Sequence, residues 1–457
     1  MLFSPMAAAD WSKPGKVISG GWIGEASFVA GVPRGGAHVA WVDGNALRVR
    51  RVSSRGRLGR IATLARKTSD LAHWPVIASG RSGGLVAVWY VDVPDVGWSL
   101  RMRRMTAGGA LGPVRVLADA ADLSHDFEST RMGLATHADG SATVVWAAVR
   151  GHGVEPKGFA ITGATVHARR IGARGRLGPM LDVADAGEMN PAPNVAAGPG
   201  GRATVVWQAR TGAGTVVRTA AFDSDGVGPV QDLSTPSPHW STDGPGVFTN
   251  ARGVGLSIWG GSVSQDLVGH RMADGTAQGS PLVLAPPASS YWTTAVIDAS
   301  GKATVAWRHV EPPEAGFVNQ VRFRQLLADG TLGPLSALSA PHAEVSAPAL
   351  AVDRTGAITT GWTTMEPADD GRYRYAVQVR QIAADGRPGA IRTLERSHEI
   401  LRPPSVLSGR RGRAMAVWSE FGRKGALRVS RYVAGCSKAQ LRRSDTRSRR
   451  RPPTRCR

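Results

Sequence analysis

The chain has 457 residues, a formal charge of +21, 57 glycines, 29 prolines, two cysteines and 42% hydrophobic residues. That apolar content is enough for a core, yet no run approaches the roughly 20 apolar residues of a membrane-spanning helix. Abundant turn residues without sustained helical periodicity exclude a helical bundle and predict an all-β chain. The lack of a spaced Cys/His cluster excludes a zinc module.

Residues 1–10, MLFSPMAAAD, resemble the end of a secretory leader, with Ala7-Ala8-Ala9 before Asp10 as a small-residue cleavage pattern. The expectation is an exported protein, extracellular or at the cell surface, whose start codon has been placed late. Residues 11–435 then form one repeat region. Its clearest unit is GRATVVW, Gly201 to Trp207: a turn glycine, a short run of small and β-branched residues, and a tryptophan. Related stretches end at Trp41, Trp89, Trp146, Trp207, Trp259, Trp307, Trp362 and Trp418, with 48 to 61 residues between neighbours. A period of that size marks four-stranded propeller blades. Eight tryptophans predict an eight-bladed β-propeller of antiparallel sheets; a degenerate copy would leave seven, and the fifth is the least regular.

In the fourth copy, residues 193–200 suit an inner strand, 201–210 a second, 214–226 a third and 227–234 a fourth. Asp-Gly recurs between third and fourth strands at 225–226, 274–275, 329–330 and 385–386, supplying the positive φ that tight hairpins need. Gly-Pro opens the fourth strand at 112–113, 178–179, 228–229 and 333–334, which suits an outer edge where a missing N–H donor is harmless. The last copy has a third strand at 426–433 and no fourth, while PGKVISGG (14–21) precedes the first complete copy. The N-terminal strand is therefore expected to complete the last blade and close the ring. Residues 436–457 hold nine Lys or Arg against Asp445, lack apolar periodicity and read as a basic disordered tail. Cys436 and Cys456 lie in that tail, outside the repeats.

Alternation puts each repeat tryptophan on one face with the small residues two and four before it, as Ala203 and Val205 for Trp207. These tryptophans are expected in the core. Function is expected on the face carrying the second-to-third-strand loops and the links between blades, because those segments vary. From tryptophan to the next turn glycine the first copy uses 15 residues, the third 29 and the seventh 24. The links carry His73 and Trp74, His239 and Trp240, Tyr291 and Trp292, and His398, with Trp22 leading into the first blade. These eight are the candidate ligand-binding residues, since aromatic rings with polar edges suit sugars or flat ligands. The long loops add Glu155, Glu311, Glu314, Glu366, Asp369 and Asp370. Two of these would serve glycoside chemistry only if they converged. No residue is assigned a catalytic or metal-binding role and no cofactor is implied. SHEIL (397–401) lacks the second histidine of a zincin, and Asp223-Ser224-Asp225-Gly226 lacks the later ligands of a calcium loop.

GRATVVWQAR, GKATVAWRHV and GSATVVWAAV resemble the G-x-A-T-V-x-W repeats of secreted bacterial β-propeller proteins, mostly of unassigned function. The resemblance covers roughly residues 14–434 and implies the fold without supplying an active site. VIDASGKATVAW (296–307) is superficially similar to the quinoprotein dehydrogenase motif, but its glycine-to-tryptophan spacing is six residues instead of four. The sequence thus points to a monomeric, non-catalytic scaffold that binds a glycan or protein partner at the variable-loop face. The alternative is a carbohydrate-active hydrolase or lyase using loop acids with His239 or His398. Contact with a polyanion through the basic tail is a third expectation.

Overall fold

The computed structural model describes residues 10–19, 28–32, 35–43, 46–66, 73–93, 97–119, 123, 132–154, 158–238, 244–260, 265–286, 289–311, 319–409, 412–421 and 425–433. Trp22, His239, Trp240, Glu155, Glu314 and the tail with both cysteines lie outside them. Eight antiparallel sheets follow one another, seven of them with their strands hydrogen-bonded in chain order and the eighth completed by the N-terminal strand, so the protein is an eight-bladed β-propeller. The second strands, from Gly36–Asp43 and Leu85–Val93 through Ala203–Thr211 to Arg413–Phe421, carry the repeat tryptophans. Among the described residues, no helix is long and apolar enough to cross a membrane.

The ring closes as the sequence predicts. Gly15–Ser19 pairs antiparallel with Ala426–Val433, the third strand of blade 8, and supplies its fourth strand. Asp10–Trp11 extends the same seam by pairing with Val433 and Tyr432. An outer edge that would otherwise present unpaired N–H and C=O groups is covered by chain from the other terminus.

The core is divided among the blade interfaces. Among the described residues, buried apolar side chains form eight clusters, and each sits between two neighbouring blades. Every repeat tryptophan packs toward the preceding blade: Trp207 meets Val145, Ala147 and Val149 of blade 3, and Trp41 meets Val417 and Val429 of blade 8. Seven of them are at most 2% exposed. Trp259, in the irregular fifth copy, is only partly buried. Burying one such ring removes about 150–250 Å² from water, on the order of 4–6 kcal/mol before entropy.

The Asp-Gly turns differ among themselves. Asp274 and Gly275 both have positive φ (50° and 86°) in a two-residue hairpin joining Ala273 to Thr276. At 329–330 and 385–386 the loop is longer, and only the glycines, with φ of 95° and 91°, take the left-handed region. The short fourth strands leave room for the longer form.

Third-strand arginines tie the blades together. Arg324 donates from Nε to Gly333 O (2.8 Å) in its own blade and from Nη1 to Leu284 O (3.0 Å) in the preceding one. Arg103, Arg169 and Arg380 repeat this bridge, the first to Gly112 and Leu64, the second to Gly178 and Leu117, the third to Gly389 and Leu338. In blade 5, His270 Nε2 lies 3.0 Å from Gly279 O and takes part of the same place. Adjacent strand residues face opposite sides of a sheet, so the arginine that follows reaches the other way. Arg104 donates to Gly140 O (2.7 Å) and Arg170 to Gly201 O (2.6 Å), both in the next blade. These six arginines are therefore engaged in holding the ring.

Candidate functional site

The site is built from an irregularity shared by several inner strands. Opposite the repeat tryptophan, the first strand carries an extra residue. In blade 6, Tyr291 pairs with Arg308 but Thr294 pairs with Ala306, so Trp292 and Thr293 bulge out across from Trp307. Blade 2 does the same between His73 and Val76. Blade 7 shifts between Val345–Thr364 and Ala349–Gly361, and blade 8 between Leu401–Glu420 and Ser405–Val417. A bulge re-aims a side chain and ends regular pairing. Here it separates the channel-lining part of each inner strand from an entrance part nearer the links.

One register position within the bulge decides the surface. It falls fifteen residues before the repeat tryptophan and holds Trp74, Ala192, Gly244, Trp292, Ala347 and Pro403 in blades 2 and 4 to 8. Ala192, Gly244 and Trp292 all have positive φ, of 43°, 68° and 54°. A methyl placed on Gly244 would lie 2.6 Å from Ala192 Cβ, so equivalent positions of neighbouring blades sit side by side around the mouth. Glycine adopts this conformation freely, but a bulky side chain there costs on the order of 1–3 kcal/mol and is held only by its surroundings.

Trp292 is held by a chain of polar contacts. The Arg308 guanidinium lies 4.8 Å from the centroid of its ring, a cation–π contact that covers one face. Arg308 donates from Nε to Asn319 Oδ1 (2.9 Å), and Asn319 Nδ2 donates to Ala343 O (2.7 Å) in the link to blade 7. Glu344 Oε1 is 3.8 Å from Arg308 Nη1. Despite this bracing, Trp292 remains 44% exposed.

Beside it lies a cleft of about 380 Å³, spanning the bulges of blades 6, 7 and 8. Trp292 bounds it on blade 6, and Leu401, Arg402 and Pro403 on blade 8. Glu344 to Ala347, Thr363 to Met365 and Tyr375 of blade 7 lie between. The depression exists because blade 7 has small residues, Ser346 and Ala347, where blade 6 has tryptophan. Its shape is fixed by hydrogen bonds: Ser346 Oγ accepts from Thr363 N (2.9 Å), and Thr363 Oγ1 donates to Arg402 O (3.2 Å).

Of the residues singled out in the sequence, Trp292 lines the cleft. Tyr291 precedes it in the same strand, and His73 and Trp74 occupy the corresponding strand positions four blades away. His398 is exposed in the turn before blade 8, and it is not part of the cleft. Three of the described loop acids are held by separate basic partners. Glu311 accepts from Arg322 (2.8 Å), Glu366 is bonded to His342, and Asp370 pairs with Arg372 (2.6 Å), a bond that lowers the Asp370 pKa. Burial, reinforced by the Arg322 charge, lowers the pKa of neighbouring His309. Sequence reasoning missed Arg308, Thr363, Met365, Tyr375 and Arg402. They come from three blades, and the only trace of them is their fixed offset from a repeat tryptophan.

No protein-family model matches the sequence, and no curated protein does. Among solved structures, the chain is similar to a protein of unknown function from Dyadobacter fermentans, with 12% identity, TM-score 0.42, and 81% of this chain and 96% of that one covered. It is also similar to a lectin from Burkholderia pseudomallei, with 12% identity, TM-score 0.49, and 85% and 100% covered. A third is the α-L-arabinanase of Penicillium chrysogenum complexed with arabinobiose, with 12% identity, TM-score 0.40, and 70% and 99% covered. These likenesses give no residue of this chain a role.

Proposed function

We propose that this β-propeller is a non-catalytic glycan-binding protein whose site is the cleft over blades 6 to 8. The observation that carries the reading is Trp292: a large aromatic ring in a left-handed backbone, braced on one face by Arg308 and exposed at the cleft edge. Strain of this kind clusters at ligand sites. A braced indole offers a flat apolar platform to the C–H face of a sugar, while its neighbours serve the hydroxyls. Glu344 supplies acceptors and Arg402 supplies donors on the lining. A volume of about 380 Å³ is at the small end for ligand pockets, suited to one or two sugar units. The partners already held by Glu311, Glu366 and Asp370 favour binding over hydrolysis.

Export belongs to the same proposal. Cleavage after Ala9 would leave the Asp10–Trp11 pairing with blade 8 intact. A glycan array read with wild type and Trp292→Ala tests the binding site. Loss of the bound spots with an unchanged circular dichroism spectrum is expected; binding that survives the substitution would remove the cleft from consideration. Fractionation of the producing cell tests export, which an exclusively internal protein would refute.

A further inference from the structure

We infer that the sugar taken by this cleft carries a carboxylate, received by Arg402; the inference rests on the glycan-binding reading above. Four arginines of blades 6 to 8 are otherwise engaged. Arg308 is held by Asn319 and Glu344, Arg322 by Glu311, Arg372 by Asp370, and Arg428 by Glu420 (2.5 Å) and Glu395 (3.2 Å). Arg402 differs from these four. Its residue is exposed and lines the cleft, and among the described residues its guanidinium makes no ion pair.

The guanidinium is nevertheless positioned. It packs over the Phe421 ring at 5.5 Å from the centroid, and the backbone beneath it is fixed at both polar groups. Arg402 N donates to Ser419 O (2.9 Å), and Arg402 O accepts from Thr363 Oγ1 (3.2 Å). A planar, pre-placed guanidinium without a protein carboxylate is matched to a ligand carboxylate, which it binds with two parallel N–H donors.

The placement also sets the ligand's orientation. Trp292 and Arg402 belong to blades 6 and 8, on either side of the blade 7 floor. A sugar ring against the exposed part of Trp292 would direct one substituent toward Arg402, while Glu344, on the Arg308 side, accepts hydroxyl protons and repels an acid. The ligand class is therefore a uronic or other carboxylate-bearing sugar, with its acid toward blade 8.

Calorimetry at 0.15 M salt with a uronic-acid disaccharide, its carboxyl-reduced neutral counterpart and a sulfated disaccharide tests this, using wild type, Arg402→Gln and Trp292→Ala. The acid sugar should bind wild type about tenfold or more tightly than the neutral one, the usual gain of a charge-assisted pair. Arg402→Gln should reduce that ratio to about one without changing the melting temperature, and Trp292→Ala should weaken both sugars alike. Equal binding of acid and neutral sugars to wild type would overturn the carboxylate inference while leaving the glycan reading in place. A preference that persists in Arg402→Gln would overturn the assignment to Arg402. Sulfated sugar binding as well as the acid would assign the preference to bulk charge and also overturn it. If no sugar binds wild type, the underlying reading falls with it.

Discussion

Two buried histidines make the stability of the ring depend on pH between about 4 and 6.5. His38, on the second strand of blade 1, has Nδ1 2.9 Å from Ser79 Oγ of blade 2, and His137 has Nε2 2.8 Å from Thr143 Oγ1. Burial, followed by the nearby charges of Arg51 and Arg170 respectively, lowers each pKa from 6.5 to about 4. Both rings are therefore neutral in the fold at pH 6, while the unfolded chain has begun to take up protons. With more protons bound in the unfolded state, stability rises with pH across this window. It is complete above 6.5 and is lost progressively as the pH falls to about 4. At 1.36 kcal/mol per pKa unit, each histidine contributes on the order of 3 kcal/mol to the difference. Denaturant melts at half-unit pH steps measure it, comparing wild type with the double variant His38→Asn and His137→Gln. Those amides keep a polar atom near the bonded nitrogen, so any packing loss shifts the whole curve while the slope between pH 4 and 6.5 becomes shallower. A double variant with the wild-type slope would refute the assignment, as would imidazole NMR titrations with midpoints near 6.5.

The interblade arginines should matter more than exposed ones. Arg324→Met removes charge-assisted bonds to Gly333 O and Leu284 O and should cost about 2–3 kcal/mol in a denaturant titration; Arg372→Met, at an exposed loop pair, should leave the midpoint unchanged. Trp207→Ala should destabilise by about 3–5 kcal/mol, and Trp259→Ala distinctly less, since Trp207 is fully buried and Trp259 is not. Equal losses would contradict the packing described for blade 5. Deleting residues 10–19 uncovers the edge of Ala426–Val433 and should produce self-association in analytical ultracentrifugation; a monomeric product would mean that the seam is dispensable. Deleting residues 436–457 should lower heparin affinity, and an unchanged retention time would end the polyanion proposal for the tail.

The blade count and the tryptophan packing were legible in the sequence because both depend on a local pattern repeated eight times. A turn glycine, a period-two alternation and a tryptophan meet the same packing problem in every blade, so the pattern recurs wherever the problem does. The strands at 14–21 and 426–433 show the limit of that legibility. Their pairing could be inferred only because one blade lacked a strand and the N-terminus had one to spare. Trp292 was visible as an aromatic in a link, but nothing local distinguished it from Trp74, or said that His398 would stand apart.

Only the tertiary structure decided the site. The cleft depends on which residue each blade places at one bulge position, and on how three neighbouring choices combine: Trp292, Ala347 and Pro403. Those positions are more than a hundred residues apart in the chain, from first to last, and adjacent only because the ring brings successive blades side by side. The ion pairs that engage Arg308 and Arg322 while leaving Arg402 to the Phe421 ring likewise depend on distances between side chains. Repetition is written into the sequence as a period. A binding site arises where neighbouring repeats differ, and the consequence of those differences is set by geometry.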